Sequence, residues 1–264
     1  DIANASRPIK DGERDACIAA GVTDIREIQF GYDGIVFASA AAGPDFALTP
    51  LQVYKAIAAN VAVDGALVPN PYTSWAQIDA ALPDQPIALA IPAANHGTRE
   101  VFQERVISVG CEEAGLPDMS EDELEAACTS FRQDVVVEIA GDYTETLARL
   151  SSNQDTVGVF GLSFYEQNRD TLKVATVSGI TPSLETVAAG EYPVSRPLFF
   201  YVKGEHIGSI PGLEEYVQFF LSDAMAGAGG TLEGAGLIPQ PADKTAEVIA
   251  AFEAGTPLTA ADVQ

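Results

Sequence analysis

The chain has 264 residues, with 14 Lys plus Arg against 38 Asp plus Glu and a formal charge of −24, a balance that argues against nucleic acid or an anionic membrane surface as partner. The length suits one large domain or two small ones, each with its own core, and no apolar run approaches the roughly 18 to 20 residues of a membrane-spanning helix. An anion bound by such a chain is held against the global field, by short-range, desolvated hydrogen bonds.

The predicted elements alternate between strands and helices. "DIANASRPI" (1–9) reads as a short strand and a turn carrying Ser6 and Arg7, and "KDGERDACIAAG" (10–21) as a helix stopped by Gly21. "REIQFGYDGIVFASA" (26–40) is a long strand region broken by Gly31 and Gly34, with Asp33 as either a turn residue or a ligand contact. "TPLQVYKAIAANV" (49–61) has helical spacing, with Thr49 as N-cap and Pro50 in the first turn. "PIALAIP" (86–92) is the apolar run of a strand buried on both faces, and it leads into a helix over 96–114. Ser120 and Glu123 form a capping box that opens a short helix carrying Cys128. Further strands are read at 133–141, 156–164, 172–179 and 196–204, and further helices at 142–152, 212–226 and 243–255. This order predicts an α/β protein with mainly parallel sheets.

Three cysteines are present, Cys17, Cys111 and Cys128. A disulfide between the last two would join the capped helix to the end of the one before it, closing a loop of about 17 residues and contributing ~3 kcal/mol. A metal site is the weaker reading, because neither has a CxxC-type partner and both histidines are distant in sequence. Cys17 is then either a buried free thiol or the partner of a residue outside the given sequence.

In α/β sheets ligands bind beyond the carboxyl ends of strands, where helices begin. "ALAIPAANHGTREVF" is a strand, a turn and a helix start, so the free N–H groups and the macrodipole favour an anion there. Gly97 permits close backbone approach, Thr98 adds a hydroxyl and Arg99 a planar fork. Plain helix capping with a surface Arg99 is the competing reading. Ser6 and Arg7 stand at a second strand end, where an ordinary Ser-Pro turn is the alternative.

The segments "DIANASRPIK", "GYDGIVFA", "LTPLQVYKAI", "NPYTSWAQID", "HGTREVF", "DTVGVFGLSFYEQN", "YPVSRPLFFYVK" and "GLIPQP", taken in this order, resemble the phosphate-binding branch of the type II periplasmic binding proteins. The resemblance implies an α/β, two-lobed type II periplasmic binding protein fold with mixed, mainly parallel sheets and a hinge of crossing strands. Residues 1–40 and 195–264 would form lobe 1, incomplete at its N-terminal side, and residues 41–194 lobe 2. It implies a monomeric, non-enzymatic, disulfide-bearing receptor, periplasmic or extracellular, without metal or cofactor. Such a receptor holds dehydrated inorganic phosphate between its lobes and delivers it to an ABC permease in the membrane.

The family's serine-glycine-threonine-arginine stretch corresponds to positions 96–99. His96, Gly97, Thr98 and Arg99 therefore inherit the anion contacts, with the bulkier His96 in place of the serine, and Ser6 and Arg7 occupy the contact segment of the other lobe. The family's opening strand, helix, strand and glycine-rich loop have no counterpart here, so a longer natural chain is expected; related sequences often carry a cysteine just after that loop, which would explain Cys17. "GAGGTLEGAG" (227–236) reads as a flexible link, and Arg196, where the chain recrosses, as the partner of an acidic neighbour. The alternative is a phosphate-ester hydrolase or an extracellular interaction protein on the same fold, with His96 beside Arg99 as acid, base or nucleophile. No Ser-His-Asp order, HExxH pattern or Walker loop supplies a catalytic set.

Overall fold

The structure is a computed structural model that describes residues 1–259. The chain divides into two compact units, Asp1–Asp33 with the chain from Arg196 onward, and Gly34–Ser195.

The first unit opens with β1 (Ile2–Ala5), α1 (Asp11–Ala19) and the first part of β2 (Ile25–Ala40). Helix α1 stops where glycine predicts. Gly21, at φ +86°, donates to the Ile18 carbonyl and Val22 donates to the Cys17 carbonyl, the reciprocal bonds of a Schellman end. Strand β2 is not broken at its glycines and runs unbroken through both. Gly31 is needed for space: a Cβ there would lie 2.7 Å from Leu237 Cδ1 and 2.8 Å from the Ile238 carbonyl oxygen. Ile238 exchanges both backbone hydrogen bonds with Tyr32, which docks the "GLIPQP" segment onto the strand.

In the second unit the rest of β2 is followed by β3 (Ala47–Leu48), α2 (Pro50–Ile57), the hairpin β4 (Asn60–Val63) and β5 (Ala66–Pro69), α3 (Trp75–Ile78) and β6 (Leu89–Pro92). A continuous helical run follows: α4 (Gly97–Phe102), a π-helical turn over Gln103–Ser108, and α5 (Val109–Glu113). Then come α6 (Glu121–Thr129), β7 (Val136–Ile139), α7 (Tyr143–Ser152), β8 (Val157–Gly161) and α8 (Leu162–Glu166). The unit closes with β9 (Leu172–Val174), β10 (Thr176–Val177) and α9 (Leu184–Ala188).

The sheet is mixed. β6 pairs in parallel with β7 and with β8, while β2 pairs antiparallel with β8 and β9. Leu89, Ala90 and Ile91 are each 1% exposed, as expected of a central parallel strand covered on both faces. Helix α2 is capped as predicted, Thr49 Oγ1 accepting from Gln52 N and Gln52 Oε1 accepting from Thr49 N. It ends at Ile57 and not at Val61, because Asp64 and Gly65, at φ +51° and +78°, form a tight turn that recruits the flanking residues into a hairpin. Helix α5 lies directly on α2: a Cβ on Gly110 would sit 2.3 Å from the Pro50 carbonyl oxygen. One residue on, Cys111 is disulfide-bonded to Cys128 of α6, with Cα atoms 5.6 Å apart.

The chain re-enters the first unit in β11 (Ser195–Lys203) and continues through α10 (Leu213–Phe220), α11 (Thr231–Gly234) and α12 (Ala242–Glu253). β11 pairs antiparallel with β1. Ile28, Phe200, Val202, Leu213, Val217, Leu221 and Phe252 form the core, so strands and helices meet on one apolar layer. The glycine-rich 227–236 segment is folded rather than a flexible link: Gly229 donates to Glu233 Oε2, Thr231 donates to the Ala224 carbonyl, and a Cβ on Gly230 would fall 2.7 Å from two carbonyl oxygens. Arg196, 5% exposed, pairs with Asp33 at 3.7 Å, the acidic neighbour that the sequence lets one expect.

Two substitutions test the packing of the helical run. Removing the disulfide by Cys111→Ser with Cys128→Ser, across a sequence separation of 17, should lower unfolding free energy by ~3 kcal/mol in urea titration. Gly110→Ala should cost about 1–3 kcal/mol even with the disulfide intact, because the new methyl meets backbone and no movable side chain.

Candidate functional site

Because β6, β7 and β8 run in the same direction, their carboxyl ends share one edge of the second unit, and each is followed by a helix: α4 after Pro92, α7 after Ile139, α8 after Gly161. This is the edge at which open α/β sheets bind ligands.

His96 is the N-cap of α4, with extended backbone angles, and its Nδ1 accepts the Thr98 N–H at 3.2 Å. The imidazole thus does what a capping serine oxygen does. An acceptor at Nδ1 requires the tautomer with hydrogen on Nε2, so the outer ring nitrogen is a donor. Gly97 occupies the first helical position. Thr98 is 7% exposed, and its hydroxyl is hydrogen-bonded to the phenol of Tyr143, the first residue of α7. The Tyr143 ring lies 5.1 Å from that of His96 and 5.1 Å from that of Phe164. Asp142 caps α7 by accepting from Thr144 N at 3.0 Å, and bonds from the Thr144 hydroxyl and amide hold its carboxyl below the usual range.

Arg99 is engaged within its own unit. Nη1 donates to the Pro92 carbonyl at 2.8 Å and stands 3.4 Å from Glu138 Oε1, while the guanidinium carbon sits 5.1 Å from the Phe131 ring centre. Its side chain is 16% exposed. Among the described residues these bonds occupy one nitrogen of the fork, Nη1; Nε and Nη2 carry further N–H donors of the kind that suits an oxyanion. His96 and Arg99 line an open cavity of about 570 Å³ together with Asn95, Glu100, Gln103 and Glu104. Its two carboxylates oppose an anion, so specific donors must outweigh them.

Ser6 and Arg7 follow β1 in the first unit. Arg7 forks onto Glu13, Nη1 to Oε2 at 2.9 Å and Nη2 to Oε1 at 2.7 Å, and Glu13 Oε2 also accepts from Lys10 N at the start of α1. The structure therefore brings His96, Thr98 and Arg99 together at one strand edge, and places Arg7 in a bidentate pair that caps a helix. Sequence reasoning did not find Tyr143 or Glu138. Their signal is the second strand-turn-helix, "VEIAGDYTE", with Asp142 as an N-cap at its helix start.

The Arg7 fork, with the Lys10 amide, holds the Glu13 carboxyl down to about 2. Arg7→Ala should let Glu13 titrate markedly higher, toward its ordinary 4.5, in a carboxyl-carbon NMR titration. With the pair intact, its stabilising effect is present above pH 4.5 and is lost as the pH falls through about 2.

A family model described as a PBP superfamily domain matches residues 1–224. The phosphate-binding protein PstS of Staphylococcus epidermidis is 28% identical over 248 residues, covering 91% of this chain and 64% of that protein. Protein SphX of Synechococcus elongatus is 26% identical over 248 residues, covering 92% and 64%. The chain thus spans just under two thirds of the length of these curated relatives. Among solved structures, a possible phosphate binding protein from Planctomyces limnophilus aligns with a TM-score of 0.69 at 23% identity, over 97% of this chain and 81% of that one. An ABC-type phosphate transport receptor from Vibrio cholerae aligns with a TM-score of 0.55 at 19% identity, over 84% and 74%. At these identities the solved structures speak for the fold alone. The extent of the family match, joined to a mixed α/β chain of two units, decides the classification: the chain belongs to the PBP superfamily.

Proposed function

We propose that the chain is an extracytoplasmic solute-binding protein that captures inorganic phosphate and delivers it to an ABC permease, acting as a monomer without catalysis. The observation that carries this reading is the cluster of Thr98, Arg99 and the Nε2 donor of His96 at the carboxyl edge of β6, β7 and β8. Support comes from curated relatives named phosphate-binding protein and from the disulfide, a bond that persists in oxidising compartments outside the cytosol. Ser6 and Arg7 are proposed as the first unit's anion contacts, Arg7 exchanging Glu13 for ligand.

A hydrolytic role for His96 is disfavoured by its geometry. The nitrogen that a carboxylate would orient in a general base is instead used to cap the helix.

Titration calorimetry with phosphate tests the reading. A charge-assisted hydrogen bond is worth about 1.5–3 kcal/mol, so Arg99→Lys, which keeps the charge and loses the fork, should weaken binding roughly 10- to 100-fold. Glu138→Gln should act in the opposite direction, raising affinity by about 3-fold, because the carboxylate 3.4 Å from Nη1 competes with the ligand for Arg99. Equal affinities for the wild type and both variants would remove Arg99 from the site, and absence of saturable phosphate binding would overturn the function.

A further inference from the structure

We infer that Tyr143 is a positioning residue of this site: it aims the Thr98 hydroxyl at the bound oxyanion by donating its own phenolic hydrogen to Thr98 Oγ1. The inference rests on the phosphate reading above and adds to it a residue on a different helix.

Each of the two hydroxyls carries one hydrogen and can accept as well. In the Thr98–Tyr143 bond only one of them donates. A phenol, with an ordinary pKa near 10, is far more acidic than an aliphatic alcohol and is the better donor. With Tyr143 donating, Thr98 accepts and keeps its hydrogen for a third partner. In an anion site that partner is a ligand oxygen. The resulting series, Tyr143 O–H to Thr98 O–H to oxyanion, polarises in one direction and strengthens the final bond. Thr98 is 7% exposed, so little water competes for the pair.

The phenol is held where this task requires it. The Tyr143 ring packs against His96, Phe160 and Phe164 at centroid distances of 5.1, 5.8 and 5.1 Å. Gly161, at the end of β8, makes room for its oxygen: a Cβ there would lie 3.1 Å from Tyr143 Oη, closer than a Cβ ordinarily approaches. Thr98 follows β6, Tyr143 follows β7 and Gly161 ends β8, so this one contact gathers all three strand ends.

Tyr143→Phe removes a single oxygen and keeps the ring packing, so its melting temperature should stay near that of the wild type. Its phosphate dissociation constant, measured by calorimetry, should rise about 5-fold, as for loss of one neutral hydrogen bond. Thr98→Val should raise it about 10-fold. The decisive reading is the double variant: with Thr98 already replaced, Tyr143→Phe should add little, since the effect inferred here for the tyrosine passes through that hydroxyl. An equal cost in both backgrounds, or no cost in either, overturns the inference while leaving phosphate binding intact. Failure of the unsubstituted chain to bind phosphate overturns the functional reading itself.

Discussion

The parallel pairing of β6 with both β7 and β8 is the constraint on which the candidate site depends. Parallel strands cannot be joined by tight turns, so each is followed by a helix that must start at the same edge. Burial of Leu89, Ala90 and Ile91 on both faces fixes the register of the central strand, since a slip would expose apolar side chains or bury polar ones. From that register everything at the edge follows: His96 falls at a helix start, Thr98 meets a residue 45 positions away, and Arg99 reaches back to the carbonyl of Pro92.

Charge is managed locally in a chain whose formal charge is −24. Arg7 is held by Glu13, Arg99 by Glu138, Arg132 by Asp134 and Arg196 by Asp33. Each arginine named here for an anion thus already has an intramolecular carboxylate. The pairs do not forbid a ligand. They set the free energy that it must replace, which is small where the carboxylate is solvated: Glu138 is 42% exposed and Glu13 49%. A compact, doubly charged oxyanion that accepts several hydrogen bonds at once can displace such partners, whereas a single weak acceptor cannot.

Much of this was legible in the sequence, and what was not has identifiable causes. Local rules succeeded where the deciding interaction is local: the Gly21 stop, the Thr49 and Ser120 capping boxes and the apolar run of β6 all depend on residues close together in sequence. The β4–β5 hairpin was missed although Asp64-Gly65 announces a turn, because the helical spacing of residues 49–57 was carried four residues too far. The glycine-rich 227–236 segment reads as flexible by composition, yet at Gly230 neighbouring carbonyls come too close for a Cβ, and Gly229 and Gly236 adopt positive φ, +76° and +108°, which disfavours other residues. The π-helical turn at 103–108 has no periodic signature, and the Thr98–Tyr143 bond depends on strand pairing that no local pattern encodes.

The resemblance to phosphate-binding proteins leads one to expect serine at position 96, and the histidine found there changes the capping chemistry less than its size suggests. A serine N-cap offers one oxygen that both accepts from the helix and can donate outward. His96 divides these two tasks between two nitrogens, Nδ1 accepting from Thr98 N and Nε2 left to donate. The donor then lies on the far side of the ring, a few ångströms further from the helix start than a serine hydroxyl would be. A ligand bound there must extend further from the backbone, or approach nearer to the ring, than one held by serine. The ring is also packed against Tyr143, whose phenol meets Thr98, so the replacement is coupled to the positioning of the neighbouring hydroxyl. Position 96 and position 143 therefore meet at Thr98, the first through its amide and the second through its hydroxyl.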